Sequence, residues 1–164
     1  MKYSTKGIDN LHYLSAMEKK VLLDTLEKEY DKKPFCFNRI IIQNDNYKNE
    51  YDIISSFYRG DDNTAMEVVE DGQKRIFLII NIFTSRKRIK NTEDINKSTL
   101  KKCRNYRESF ENRILHEIGH LRHLTMSEKE FENIVKELPF VSEYAYKSDY
   151  EKFAEAYSIN KIGV

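Results

Sequence analysis

Three of the four histidines in this chain fall within eight residues, and two of them bracket a glutamate in the run His116-Glu117-Ile118-Gly119-His120. On a helix, residues four apart lie one turn above each other on the same face, with Cβ atoms about 5–6 Å apart. Two imidazoles placed this way can reach one ion through metal–nitrogen bonds of about 2.0–2.1 Å. Glu117 is turned about 100° round the helix from His116. From there its carboxylate can hold a water beside the metal without ligating the ion. The chemistry this allows is metal-assisted hydrolysis: zinc brings the pKa of a water toward ~7, and Glu117 takes its proton as a carbonyl carbon is attacked. Gly119 weakens such a helix by roughly 1 kcal/mol relative to Ala, which implies that another backbone packs close there. His123 lies on the same face and reads as an ordinary, partly exposed histidine, with contact to a ligand or substrate as the second reading.

Catalytic zinc takes three protein ligands and keeps one open position. The pattern H-E-x-x-H-x-x-G-x-x-H would supply a third histidine, but His123 stands at its Gly and Met126 at its last His. That class is excluded. The third ligand then comes from a downstream glutamate. Glu151 and Glu155 are four apart and share a face, so one can ligate while the other hydrogen-bonds a ligand histidine and fixes its tautomer. By spacing alone, a solvated helix face accounts for the pair equally well.

The segment Glu143-Tyr144-Ala145 followed by Glu151-Lys152-Phe153-Ala154-Glu155-Ala156-Tyr157, beginning its second part 31 residues past His120, resembles the active-site end of the anthrax lethal factor-like zinc metallopeptidases. That family includes the lethal factor catalytic domain and the clostridial Pro-Pro endopeptidases. Its pattern sets a tyrosine seven residues before E-F-F-A-E-[AS]-F, and Tyr144 stands seven before Glu151. The resemblance implies a zincin-like fold and a zinc endopeptidase. It implies His116, His120 and Glu151 as ligands, Glu117 as base, Tyr144 as the hydroxyl on the oxyanion, and Glu155 as support for a ligand. It covers the C-terminal third. Lys152 departs from an apolar family position, which affects packing more than chemistry. Seven residues follow Tyr157 where the family continues its helix, so a shorter cleft wall is expected. Two other readings stand beside it. One is a small cytoplasmic metallopeptidase that inactivates repressors; the other is an inactive binding module stabilised by metal, against which the intact Glu117 argues.

The elements needed to position these residues are legible in outline. Ser15 and Glu18 form a capping box opening a helix to about Tyr30, with Val21, Leu22 and Leu26 on its apolar side. Residues 39–43, 52–58 and 75–83 read as strands, and Asp71-Gly72 as a hairpin turn joining 67–70 to the last of these. Residues 86–98 read as a polar loop, and a helix beginning near Ser98 or Ser109 runs to His123. Ser127 caps a further helix carrying Phe131, Ile134, Val135 and Leu138, and Asp149 to Ile159 forms the last. Helix, small mixed sheet, then the H-E-x-x-H and glutamate helices make an α+β arrangement, expected as a single domain over 1–164. The expected substrate is an extended peptide pairing with an exposed sheet edge, the strand at 75–83.

Composition excludes several alternatives. The net charge is +1 despite 34% charged residues, so no global field points to nucleic acid. Residues 86–113 hold ten Lys or Arg against four acids, most simply a solvated helical face, with an acidic partner as the second reading. Cys36 and Cys103 are too few and too far apart for a disulfide framework and read as free thiols in the core. No apolar run suffices to span a bilayer. The first residues carry no signal peptide. The family resemblance implies a secreted bacterial protein whose leader has been removed, a toxin in some members. The leaderless start reads alternatively as cytoplasmic. The expected partner is a protein or peptide substrate, with the chain a monomer.

Overall fold

Ser15 accepts a hydrogen bond from the Glu18 amide (3.2 Å) while the Glu18 carboxylate accepts from the Ser15 amide (2.8 Å), closing both ends of the capping box that starts helix α1, Ala16–Lys32. In this computed structural model the described residues are 5–43, 65–89, 92, 96, 102–160 and 162. They form two compact units, Met1–Lys90 and Asn91–Val164. The strand expected at 52–58 lies outside the described residues.

The first unit holds a four-stranded mixed sheet in the order β1 (Ile8–Asp9), β2 (Arg39–Gln43), β4 (Ile76–Asn81), β3 (Met66–Glu70). β1 and β2 are parallel, as are β2 and β4, whereas β3 and β4 pair antiparallel. Ile40, Ile41 and Ile42 on β2, and Phe77 to Ile80 on β4, are consecutively buried. Both faces of these two strands are therefore covered, as unbroken apolar runs require. β4 pairs on both sides, so the expected exposed edge at 75–83 is corrected: those backbone groups already serve β2 and β3.

The Asp71-Gly72 turn joins β3 to β4 as expected, but by side-chain chemistry. Asp71 accepts from the amides of Gln73 (2.8 Å) and Arg75 (2.9 Å) and from the Arg75 guanidinium (2.6 Å). The left-handed residue of the turn is Lys74 (φ 60°), not Gly72.

Helix α2, Ile82–Ile89, follows β4 directly and corrects the polar loop expected from residue 86. Ile82 and Ile89, seven apart, are buried on one face. Arg86 makes a two-pronged ion pair with the buried carboxylate of Glu18 (2.7 and 3.1 Å) and donates to the Tyr13 carbonyl (3.0 Å). Cys103 is a buried free thiol, but Cys36 is exposed, because Phe37 takes the inward place beside it.

The second unit is helical. Helix α3, Tyr106–Leu124, begins at Asn105, whose side chain accepts from the Glu108 amide (3.0 Å). Ser127 caps α4, Glu128–Val135, and Ser148 caps α5, Asp149–Ser158, through the Glu151 amide (3.1 Å). A short 3₁₀ turn, Tyr144–Tyr146, precedes α5. The fold is thus α+β, with five α-helices among the described residues, none long and apolar enough to cross a membrane.

Candidate metal centre

Gly119 sets how closely α3 and α5 approach. A Cβ built on it would lie 3.0 Å from Ala154 Cα, 3.1 Å from Tyr157 Cβ and 3.3 Å from the Ala154 carbonyl oxygen. The close backbone expected from the sequence is therefore α5. Its first turns carry Glu151 and Glu155 onto the histidine face of α3.

Three donor atoms converge there. Glu151 Oε2 is 3.0 Å from His116 Nε2 and 3.3 Å from His120 Nε2, and the two Nε2 atoms are 3.1 Å apart. Donors at bond lengths of about 2.0–2.1 Å round one tetrahedral ion stand about 3.3 Å from one another, so this triangle is the right size for one bound ion. Glu151 Oε2 is buried and has no hydrogen-bond partner. An orphaned carboxylate oxygen facing two imidazole nitrogens fits a cation-binding set. His116, His120 and Glu151 can hold a metal ion.

The surrounding hydrogen bonds orient the donors. His116 Nδ1 lies 2.7 Å from Glu155 Oε2, and Glu155 Oε1 accepts from Ser142 Oγ at 2.7 Å. Ser142 Oγ in turn accepts from the Ala145 amide at 3.1 Å. With Nδ1 held by Glu155, Nε2 is the His116 nitrogen that faces the centre. Glu155 is thus the carboxylate that meets His116 Nδ1. Ser142 was not singled out in the sequence, where nothing distinguishes it from other serines. Its role depends on the chain's turn at 142–146.

Charge and burial work against each other here. Burial lowers the His116 pKa, but Glu151 and Glu155 beside it raise it to about 9. Burial raises Glu151, yet the imidazoles of His116 and His120 pull it well below the usual carboxylate range. Glu117 is 3% exposed. Burial pushes its carboxyl up against the pull of the two histidines. The Tyr144 phenol is likewise raised, by burial and then by Glu151, so it stays protonated at neutral pH. Its ring stands 6.0 Å from that of His116. Arg113, the last cation of the basic run, acts by its charge on His116, Glu117, Tyr144 and Glu155.

His123 is not the partly exposed residue expected. It is buried, 9% exposed, with Nε2 2.9 Å from His120 Nδ1. Lys152 is buried with its ammonium 4.2 Å from the centre of the Phe140 ring. A cation over an aromatic face keeps an apolar site usable by a lysine. No family model, curated protein or solved structure matches this chain.

Proposed function

We propose that the chain is a zinc endopeptidase with a zincin-like centre, holding the ion through His116, His120 and Glu151. The observation that carries this reading is the triangle of donor atoms at 3.0, 3.1 and 3.3 Å, with the buried carboxyl of Glu117 on the same helix. The residue pattern shared with lethal factor-like peptidases supports it from the sequence side.

Zinc bound there would polarise a scissile carbonyl and lower the pKa of an incoming water toward ~7. Glu117 takes the proton of that water and delivers it to the departing amide nitrogen. Tyr144 donates its phenolic proton to the oxygen on which negative charge develops, an interaction stronger in the transition state than in the substrate. Glu155 and Ser142 hold His116 in the tautomer that points Nε2 inward.

The test combines metal content with turnover. Protein stripped of metal and reloaded with zinc should hold close to one ion per chain, His120→Ala should lose it, and the loaded wild type should cleave members of a mixed peptide library. A wild-type chain that retains no zinc rejects the metal centre. One that retains zinc but cleaves no peptide rejects the peptidase reading alone.

A further inference from the structure

Each ligand imidazole has one nitrogen for the metal and one that must be a donor. A neutral imidazole carries a single N–H, so ligation through Nε2 requires the proton on Nδ1 and an acceptor to keep it there. For His116 that acceptor is Glu155. For His120 no carboxylate among the described residues takes the place; the atom 2.9 Å from its Nδ1 is Nε2 of His123. We infer that His123 is a positioning residue of the metal centre, accepting the Nδ1–H of His120 and so fixing the ring that offers Nε2 to the ion. The inference rests on the metal-centre reading above.

The geometry supports an acceptor role over simple packing. The rings of His120 and His123 meet nearly at right angles (83°), which lets an in-plane N–H of one address an in-plane lone pair of the other. Three aromatic residues from α4 and α5 hold His123 in that orientation. Tyr150 stacks on it at 4.8 Å and 28°, Phe131 lies at 5.4 Å, and Phe153 meets it edge-on at 5.9 Å. Accepting requires that Nε2 of His123 carry no proton. The two ligand histidines are supported differently, His116 by a carboxylate and His120 by a second imidazole. An imidazole acceptor, unlike a carboxylate, orients His120 without adding a further negative charge to a cluster that already holds Glu117, Glu151 and Glu155.

The experiment uses the full chain as wild type, His123→Phe and His123→Gln. Phe keeps an aromatic ring for the Tyr150 stack and removes the acceptor. Gln reaches about as far as the imidazole Nε2 and restores an acceptor oxygen. Zinc affinity is measured by competition with a chromophoric chelator, melting temperature in the presence of EDTA, and ring-nitrogen protonation by ¹⁵N NMR of the zinc-loaded wild type. The expected result is a 10–100-fold loss of zinc affinity in the Phe variant, the usual range for removing a ligand's supporting group. The Gln variant should recover to within about threefold of wild type, with both melting temperatures in EDTA close to that of wild type. NMR should find the proton of His120 on Nδ1, and none on Nε2 of His123. Phe binding zinc as tightly as wild type, Gln as weak as Phe, or a proton on His123 Nε2 would each overturn the inference while leaving the metal centre standing. If the Phe variant does not fold, the NMR result on the wild type decides. A wild type that takes up no zinc removes both readings together.

Discussion

Gly119→Ala tests whether the approach of α5 to α3 is what builds the site. Ordinary carbon–carbon contacts are about 3.5–4.0 Å. A new Cβ at 3.0 Å from Ala154 Cα and 3.1 Å from Tyr157 Cβ is therefore short by roughly 0.5 and 0.4 Å. Neither neighbour is the free end of a side chain, so the helices must part. Gly119 has no positive φ, so Ala meets no backbone strain, and helix propensity alone would favour it by roughly 1 kcal/mol. Overpacking works the other way, by about 1–3 kcal/mol. The balance is a loss of about 0–2 kcal/mol, or roughly 0–8 °C in melting temperature for a chain of this size. Metal binding should suffer more than stability. Ala154 adjoins Glu155 and follows Glu151 by three residues, so a shift of the helix moves both carboxylates, while ligand distances tolerate about ±0.2 Å. We expect zinc affinity to fall about tenfold or more, read by chelator competition, alongside melting curves in EDTA and in excess zinc. If the EDTA melt instead rises by the 2–4 °C that 1 kcal/mol represents, and zinc binds as tightly as to wild type, the close approach does not govern the site.

Three further outcomes follow from the same geometry. Glu117→Gln should keep zinc and fold while losing about 10²–10⁴-fold in peptide turnover, and equal turnover with contaminating protease excluded would reject the base. Tyr144→Phe should lower turnover about 10²–10³-fold with zinc content and melting temperature nearly unchanged. Tyr146→Phe should do nothing, since Tyr146 is exposed and stacked on Phe140 at 4.1 Å; the reverse pattern would mean the wrong tyrosine has been named. Ser142→Ala removes the donor to Glu155 and leaves the Ala145 amide without its acceptor, for about 1–3 kcal/mol of stability together with weaker zinc binding. Unchanged zinc affinity in that variant would show that Glu155 holds His116 unaided.

What the sequence made legible is what depends on local spacing. Ser15 and Ser127 cap helices through an amide three residues ahead, and the face shared by His116 and His120 is a matter of one helical turn. Strand β2 is an apolar run long enough to stand alone as a signal. Two expectations fail because of partners distant in the chain. Residues 86–89 look like polar loop until Glu18, 68 positions earlier, takes Arg86. β4 looks like an edge until β2 is found on its other side.

His123 falls between these cases, and the reason is physical. Its spacing of three from His120 does put the two rings on neighbouring positions of one face. Spacing cannot say whether the second ring turns its nitrogen toward the first or out to solvent. That choice is made by Phe131, Tyr150 and Phe153, which come from two other helices and close round the ring. The histidine pair was readable because a helix alone brings it together, whereas the support of each histidine depends on residues beyond α3: Glu155 and Ser142 for His116, and the aromatic trio that aims His123 for His120. Substitutions in that trio should therefore weaken metal binding without touching a ligand, and Tyr150, which is more than half exposed, is the member that can be changed with least damage to the core.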